Sequence, residues 1–470
     1  MSEKTKVGAE EKATGISRRG FAKVLAGTTA AALVGAAPTP TVSASPSATA
    51  EGAEQIYQCK PELKRFSEKD IAFKKVSEEL GAPWMQLWFK NMLTNVKESK
   101  IGKNVPVKSP KEARAHVAFW MAASTWNRVS GPYGEGLENK GLLSWKPMNV
   151  PPMFRGNPDP DPDPADLTKK IKQIARFVGA NRVGIAKLNR KWIYEETCRN
   201  PYAPDAPQTK KIVFKDVKET DETDNELIIP ETVKYAVVTV AEMNRIATQI
   251  GPTSVQSSVA TNMGYARIGI IDIALAEAIR TLGYNAIPTM NNTGLSIPLA
   301  IDAGLGQLGR HGLLITPDYG AAVRIGKVLT DMPLVPDGPI DFGLTKFCES
   351  CTKCAENCPA KCIGFGERTY NAPVDTSNSG ALKWFTDGRK CLRLWVESGA
   401  SCVNCQAVCT YTKGSFWGHG FVRGVTNTAP QLNPLWAYMD DVFGYGQMRD
   451  PDVVWNMKMS PFGMDPRKEI

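Results

Sequence analysis

Two runs of closely spaced cysteines constrain this 470-residue chain more than any other feature of its sequence. The first run has the spacing C-x2-C-x2-C-x3-C-P and contains Cys348, Cys351, Cys354 and Cys358. The second run ends in C-x2-C-x3-C and contains Cys391, Cys402, Cys405 and Cys409. Cysteines grouped at such short intervals indicate either a metal centre or a disulfide framework.

The spacing of the first run is that of bacterial two-cluster ferredoxins, in which three thiolates hold one cluster and the fourth reaches across to the other. This pattern predicts two [4Fe–4S] clusters. The predicted ligands of the first cluster are Cys348, Cys351, Cys354 and Cys409. The predicted ligands of the second cluster are Cys358, Cys391, Cys402 and Cys405.

Disulfides and zinc are the alternative interpretations of these cysteines. Disulfides are common in exported chains, and a zinc site needs only four ligands, usually with a longer gap between its cysteine pairs. Neither alternative predicts the interleaved x2, x2, x3-Pro spacing, so iron–sulfur clusters are favoured. Cys362 lies outside both patterns and is interpreted as a buried thiol.

The first 44 residues have the features of an export signal. Residues 17–23 read S-R-R-G-F-A-K, a twin-arginine signal, and residues 24–37 form an apolar run that is shorter than the ~20 residues of a membrane span. Residues 42–44 offer a cleavage site. The sequence therefore predicts twin-arginine export to the outer, periplasmic face of the cytoplasmic membrane, with peripheral attachment through a partner.

The net charge argues against nucleic-acid binding. The chain carries +9, but residues 1–44 hold six basic and three acidic residues, so the remainder carries only +6 and has no basic run.

Five segments of the chain are predicted. They are a signal peptide (1–44), a helical and aromatic region (45–160), a core of alternating helices and strands (161–340), a two-cluster module (341–420) and a C-terminal segment (421–470).

The core region alternates predicted helices and strands, which favours an α/β (α+β) fold with a ferredoxin-like insert. Helices are predicted at 110–126, 167–178, 254–282 and 298–303. Strands are predicted at 183–186, 235–240, 284–288, 312–316 and 324–329. Residues 200–232 are polar and are interpreted as a surface loop. The aromatic residues of 84–145 are assigned mainly to packing, with a minority lining an apolar pocket.

Gly304, Gly306 and Gly309 match the dinucleotide-binding pattern G-x-G-x-x-G. That motif requires a strand before it and a helix after it. Here a helical segment precedes the glycines and a strand follows them, so the order argues against NAD(P) or FAD binding. The glycines still indicate a close approach of the backbone to a bulky group.

Residues 188–446 resemble the catalytic subunits of respiratory reductive dehalogenases, most closely those of the tetrachloroethene type. The matching blocks are L-N-R-K-W (188–192), E-T-D-N-E-L-I-I-P (222–230), A-G-L-G (303–306), M-P-L-V-P (332–336), P-I-D-F-G (339–343) and M-D-D (439–441). The export signal and both cysteine runs also match. The resemblance implies a corrinoid in a nitroreductase-like core, supplied with electrons by the two clusters.

The resemblance also implies roles for individual residues. Tyr265 matches the proton donor of the family, Arg310 is assigned to the arginine that stabilises the phenolate, and Asn291 is assigned to holding the tyrosine or the substrate. Gly304, Gly306, Gly309 and Trp395 are assigned to the corrinoid. A base-off corrinoid is expected, because no histidine lies in a D-x-H-x-x-G motif; the chain has only His116, His311 and His419.

The expected partners are a small organohalide, a membrane-anchor subunit, an electron donor of the quinone or respiratory chain, and a second copy of the chain in a homodimer. No nucleic-acid partner is expected. Chlorinated ethenes, haloalkanes and halophenols all remain open as substrates. Two alternative functions are an epoxyqueuosine reductase, which shares the corrinoid core and paired clusters, and an exported two-cluster electron carrier.

Overall fold

A computed structural model describes residues 53–129, 143–198, 209–251, 253–413, 417–457 and 460–464. The predicted export signal and its cleavage site lie outside these residues. The α-helices are α1 (Ala53–Ile56), α2 (Ala72–Leu80), α3 (Trp84–Lys97), α4 (Pro110–Val129), α5 (Pro164–Phe177), α6 (Arg245–Thr248), α7 (Val255–Thr281), α8 (Ser296–Asp302), α9 (Leu344–Ser350), α10 (Lys353–Glu356), α11 (Gly388–Ser398), α12 (Asn404–Ala407), α13 (Trp417–Thr428), α14 (Asn433–Val442) and α15 (Val453–Asn456). The strands are β1 (Arg182–Lys187), β2 (Lys211–Lys215), β3 (Asp221–Glu222), β4 (Glu226–Pro230), β5 (Tyr235–Glu242), β6 (Ala286–Thr289), β7 (Gln307–Leu308), β8 (Leu314–Ile315) and β9 (Val323–Thr330).

A four-stranded antiparallel sheet forms the centre of the core, in the order β1-β5-β9-β6. Strand β5 is almost wholly buried because both faces of the sheet are covered. On one face Val237 packs with Ile268 and Ile271 of α7. On the other face Val238 packs in a cluster that includes Leu299 of α8. The apolar sequence of β5 follows from this two-sided burial.

Helix α7 is the longest element of the core and carries one wall of the site. It begins after Ser254, whose side chain accepts a hydrogen bond from the backbone N–H of Ser257, as an N-cap residue does. The helix approaches β9 closely at Gly326. A Cβ atom at Gly326 would lie well inside van der Waals contact with Asp272 and Ile268 of α7. Glycine at this position therefore sets the spacing between the helix and the sheet.

Gly326→Ala is expected to destabilise the protein by about 1–3 kcal/mol, the usual effect of inserting a methyl group into a packed core. The matched control is Gly420→Ala in α13, where an added Cβ meets no atom within 4 Å. The measurement is the free energy of unfolding of both variants in denaturant. Equal stabilities of the two variants would contradict the close packing of α7 on β9.

The predicted helices and strands of the core are confirmed, with one exception. Residues 200–232 were predicted to form a surface loop, and the described part of this segment instead holds β2, β3 and β4. Strand β2 pairs parallel with β4, and β3 pairs antiparallel with it. The side chains of Ile212, Leu227 and Ile229 are buried beneath this small sheet. Its short strands carry charged residues at their ends, which hid the apolar pattern in the sequence.

The N-terminal helices pack on the core and on the cysteine-rich region rather than forming a separate body. Helix α4 contacts α7, and α3 contacts α11. Trp84, Trp88 and Trp120 share one buried cluster with Val255 of α7 and Leu392 of α11. In the part of the chain that the structure describes, no helix is both long and apolar enough to cross a membrane.

Candidate active site

A cavity of about 1020 Å³ lies at the junction of the N-terminal helices, the core and the cysteine-rich region. This volume is at the upper end of the range for ligand pockets. Much of its wall is aromatic; these residues include Trp84, Trp88, Phe89, Trp120 and Trp395. The prediction that some aromatics of 84–145 line an apolar pocket is therefore confirmed.

Tyr265 and Asn291 meet on the wall of this cavity. The Nδ2 of Asn291 donates a hydrogen bond to the hydroxyl oxygen of Tyr265 over 2.7 Å. Tyr265 lies on α7, and Asn291 lies in the loop that follows β6. Both residues line the cavity. The structure therefore brings together two of the three residues assigned to catalysis.

Arg324 is the cation beside Tyr265. Its Cζ lies 5.0 Å from the centroid of the Tyr265 ring, and its Nη2 donates to Thr261 Oγ1 over 3.1 Å. Thr261 and Tyr265 are four residues apart on α7 and so share one face of the helix. Gly264 leaves room for the arginine, because a Cβ there would lie 2.9 Å from Arg324 Cγ. The Nε of Arg324 is buried and makes no hydrogen bond within the described residues.

Arg310 does not contact Tyr265, so the prediction that it stabilises the phenolate is wrong. Its side chain is 2% exposed and is surrounded by backbone carbonyl groups. Its Nε and Nη2 donate to the carbonyl of Cys348, and its Nη1 donates to the carbonyls of Gly364, Phe365 and Gly366. The guanidinium also lies over Trp384, 4.6 Å from the ring centroid. Arg310 therefore supports the first cysteine run.

The three glycines assigned to the corrinoid face protein atoms instead of the cavity. A Cβ at Gly304 would lie 2.6 Å from the carbonyl oxygen of Gly338, and one at Gly306 would collide with the carbonyl of Ile315. A Cβ at Gly309 would lie 2.6 Å from the Ile315 side chain. The bulky groups that these glycines admit are therefore neighbouring segments of the chain. Helix α8 precedes them, β7 lies between Gly306 and Gly309, and β8 follows, which confirms the order that argued against a dinucleotide site.

Trp395 lines the cavity, as its assignment requires. Its ring lies 6.2 Å from the Phe73 ring in an edge-to-face contact. The indole N–H groups of Trp395 and Trp88 and the hydroxyl of Thr376 are buried at this cavity without a hydrogen-bond partner among the described residues. Buried polar groups normally have partners. A large ligand with polar side groups, such as the amide arms of a corrinoid, fits these unpaired groups.

The thiols predicted for the first cluster lie close to one another. Burial raises the pKa of the Cys348 thiol, a hydrogen bond from the backbone N–H of Arg310 lowers it, and the thiols of Cys409, Cys351 and Cys354 raise it further. Burial and the thiols of Cys409 and Cys351 raise the pKa of Cys354 to about 12. Three buried thiols and the half-buried thiol of Cys351, which disfavour one another's ionisation, fit a site whose iron supplies the positive charge.

The thiols predicted for the second cluster form another group, and Cys362 belongs to it. Burial and the thiols of Cys358 and Cys362 raise the pKa of Cys402 to about 12, although a backbone N–H from Asn404 opposes the shift. The Cys362 sulfur lies 3.3 Å from the Cys358 sulfur and also contacts Cys391. Cys362 is buried, as predicted, but it is a fifth thiol beside the second set and not a remote one.

The three histidines lie away from the wall of the large cavity. His116 contacts Gln256 and accepts a hydrogen bond from the Trp455 indole over 3.3 Å. His311 is buried and accepts from the backbone N–H of Leu313 over 3.2 Å. His419 lies 2.9 Å from the Tyr445 hydroxyl. Within the described ranges, no histidine lines the cavity that Tyr265 faces.

Arg324 was not predicted from the sequence, because the arginine of the family was assigned to Arg310 at the end of the motif G-Q-L-G-R (306–310). One signal was present: β9 reads V-R-I-G-K-V-L-T, and its two basic residues interrupt a strand that is otherwise apolar. Charged residues in a buried strand need partners. Arg324 and Lys327 were therefore identifiable as candidates for a specific role, although their partners were not.

Comparison with known proteins gives a consistent result. The chain is 36% identical over 487 residues to the tetrachloroethene reductive dehalogenase of Sulfurospirillum multivorans, a match that spans 97% of this chain and 96% of that protein. A solved structure of the catabolic reductive dehalogenase NpRdhA matches with a TM-score of 0.58 and 20% identity, over 83% of this chain but only 48% of that chain. Epoxyqueuosine reductase of Lactococcus garvieae is 32% identical over 34% of this chain and 46% of that protein. No protein-family model matches the chain.

The match to the Sulfurospirillum enzyme covers nearly the whole of both chains, whereas the match to epoxyqueuosine reductase covers a third of this one. The likeness to NpRdhA adds a shared fold of mixed helices and strands. These findings confirm the resemblance read from the sequence and favour it over the epoxyqueuosine reductase and electron-carrier alternatives. The chain belongs to the reductive dehalogenases, oxidoreductases that act on carbon–halogen bonds.

Proposed function

We propose that this chain replaces a halogen of a small organohalide by hydrogen, with a corrinoid in the large cavity and two [4Fe–4S] clusters on the two sets of thiols. The observation that carries the proposal is the convergence of three features on one cavity. Tyr265, Asn291 and Arg324 form part of its wall, residues with unpaired buried polar groups belong to the same wall, and Ser401, next to the predicted ligand Cys402, also lines it.

The proposed order of electron transfer follows from these positions. Ser401 lines the cavity, so the set of thiols that contains Cys402 is the nearer one. The thiol of Cys405 in this set lies close enough to Cys354 of the first set for their charges to interact. Electrons would therefore enter at the first set and pass through the second. This arrangement agrees with a nitroreductase-like core joined to a ferredoxin-like module.

The overall reaction consumes two electrons and one proton, breaks the carbon–halogen bond, releases halide and forms a C–H bond. When bound, the corrinoid supplies a low-valent cobalt centre that acts on the halocarbon, and the clusters deliver electrons singly. The chain must orient the halocarbon, exclude bulk water and supply the proton. The aromatic wall performs the first two tasks.

Tyr265 is the proposed proton donor. A phenol that gives up its proton leaves a phenolate, which a nearby cation stabilises. The Arg324 guanidinium lies over the Tyr265 ring, 5.0 Å from its centroid. The amide of Asn291 donates to the same oxygen and fixes its direction. Arg324 thus takes the role that was assigned to Arg310.

The aromatic lining favours an uncharged substrate. Indole and phenyl rings offer large apolar surfaces to an uncharged halocarbon, whereas the cations of the same wall, which include Arg324 and Lys383, would accommodate a halophenolate. The relative from Sulfurospirillum multivorans is named for tetrachloroethene. We therefore place chlorinated ethenes before haloalkanes and halophenols. A base-off corrinoid is supported by the cavity wall, which contains no histidine among the described residues.

The cellular setting is proposed from the sequence and the family. The chain would be exported by the twin-arginine pathway and held at the periplasmic face of the membrane by an anchor subunit. It would receive electrons from the quinone pool as the terminal reductase of organohalide respiration. The same proposal includes a homodimer of two copies of this chain. It also includes the division of the chain into the five segments that were predicted from the sequence.

The test is anaerobic purification after reconstitution with cobamide, iron and sulfide. We expect cobamide and iron–sulfur absorption bands and turnover of chlorinated ethenes with reduced viologen as electron donor. Haloalkanes and halophenols serve as comparison substrates. A protein without both sets of bands would refute the cofactor assignment. Bound cobamide without turnover of any organohalide would instead favour another corrinoid reaction.

Two arginine variants separate the two roles described above. Arg324→Gln should keep both metals and lower turnover by about 10- to 100-fold, because the phenolate loses its cation. Arg310→Gln should lose iron, because the carbonyl groups of the first cysteine run lose their donors. Metal analysis and viologen-coupled turnover measure both effects. Low turnover with full iron in Arg310→Gln and normal turnover in Arg324→Gln would reverse the assignment.

A further inference from the structure

Lys327 is a fully buried cation on β9 that the proposed chemistry does not use. Its side chain is 0% exposed. Strand β9 is central in the sheet, and Lys327 is paired with Val238 of β5 on one side and Thr289 of β6 on the other. Burying an ammonium group costs several kcal/mol unless it is well paired. The buried carboxylate of Asp272 interacts with this charge, and the hydrogen bonds of the ammonium group show which segment it holds.

The ammonium group of Lys327 binds the loop that carries Asn291. Its Nζ donates to the backbone carbonyl of Met290, to that of Asn292 over 3.3 Å, and to Ser296 Oγ over 3.1 Å. Met290 and Asn292 are the two neighbours of Asn291 in the chain. The cation therefore fixes the backbone on both sides of the residue that holds the Tyr265 hydroxyl.

Neighbouring hydroxyl groups strengthen this clamp. Ser296 Oγ donates to the carbonyl of Met290 over 2.9 Å, and Thr289 Oγ1 donates to the carbonyl of Asn292 over 2.7 Å. Each carbonyl thus accepts from the ammonium and from one hydroxyl. Asn291 itself faces the cavity, and its amide reaches Tyr265 over 2.7 Å. The loop is held from the sheet side so that only the Asn291 side chain projects toward the reacting groups.

We propose that Lys327 is a positioning residue: its ammonium group clamps the backbone of residues 290–292 and thereby aims the Asn291 amide at the Tyr265 hydroxyl. This proposal rests on the proposed function, because it acts through Tyr265. Displacing a catalytic group by about 1 Å can cost roughly 100-fold in rate. The rate gained by holding Asn291 in place therefore gives a reason to bury an ammonium group in spite of its unfavourable effect on stability.

The test is a double-mutant cycle between Lys327 and Tyr265. Lys327→Met removes the donors and keeps an unbranched side chain that is only one atom shorter. We expect it to lower kcat by roughly 10- to 100-fold, with little change in KM, when Tyr265 is present. In the Tyr265→Phe background, the same substitution should change the residual kcat less than about 3-fold, because there is no hydroxyl left to position.

Two further variants separate positioning from general stability. Lys327→Gln retains N–H donors and should recover part of the kcat lost in Lys327→Met. Arg280→Met removes another buried cation, whose Nη2 donates to the carbonyls of Ser144, Trp145 and Ala286 and to no atom of residues 290–292. It should lower the thermal midpoint and leave kcat nearly unchanged. Iron and cobalt contents are measured for every variant.

The outcomes distinguish this proposal from the assignment of Tyr265. An equal loss of kcat from Lys327→Met in both backgrounds would overturn the positioning role, and so would a wild-type kcat. Failure of both Lys327→Met and Lys327→Gln to retain the cofactors would also overturn it, since Lys327 would then be required only for the fold. Near-normal turnover of Tyr265→Phe alone would instead remove the proton donor from the proposed function.

Discussion

Tyr265→Phe should leave the iron and cobalt contents unchanged and lower turnover at least about 100-fold, the lower end of the contribution of a general acid. The substitution removes one oxygen atom and keeps the ring that lies beneath the Arg324 guanidinium. The Asn291 amide loses its acceptor, but the cavity keeps its shape. The expected loss is therefore in the proton transfer and not in substrate binding, so KM should change little.

The measurement compares this variant with Tyr284→Phe. The Tyr284 hydroxyl is buried and has no hydrogen-bond partner in the described parts of the chain, and it does not line the cavity. Its removal should leave turnover unchanged. Viologen-coupled turnover and metal contents are determined for both variants in parallel. If Tyr265→Phe retained more than about a third of the wild-type turnover, the proton would have to come from another group.

The core elements were predictable because each carries a strong local pattern. Strand β5 is free of charge over residues 235–241, and helix α7 follows a serine cap with a long apolar sequence. The short strands β2 to β4 were not predictable in the same way. They are stabilised by pairing with one another and by burial of Ile212 and Leu227, and neither effect is visible in a segment of five residues.

The predicted metal ligands, like the core elements, have a strong local pattern in the sequence, whereas the catalytic groups do not. The cysteine runs can be recognised in the sequence, because their spacing is set by the loops that surround a cluster. The contact between Tyr265, Asn291 and Arg324 depends on how α7 lies across the sheet and on the register of β6 against β9. Such contacts between distant segments leave no local signature. The role was therefore assigned to Arg310, which lies in a matching motif, and not to Arg324, which strand β9 places beside Tyr265.

Cys354→Ala should lose roughly half of the iron and nearly all turnover, because Cys354 is a predicted ligand of one cluster out of two. Its thiol is buried beside those of Cys409 and Cys351, and burial together with these neighbours raises its pKa to about 12. A thiol must lose its proton before it binds iron as a thiolate. Alanine has no sulfur, so the substitution leaves one iron atom without its protein ligand. Interrupting the electron path at the first cluster then stops the reaction.

The matched control is Cys362→Ala, since Cys362 is equally buried and lies 3.3 Å from the predicted ligand Cys358. A four-iron cluster takes four protein thiolates, so a fifth thiol beside the second set is not needed to hold the metal. Full iron in Cys362→Ala together with half the iron in Cys354→Ala would support the predicted ligand sets. If Cys362→Ala instead lost half the iron, Cys362 would be a ligand of the second cluster and one of Cys358, Cys391, Cys402 and Cys405 would have to leave that set. Unchanged iron in Cys354→Ala would contradict the first set, because a thiol that can be removed without loss of metal does not hold it.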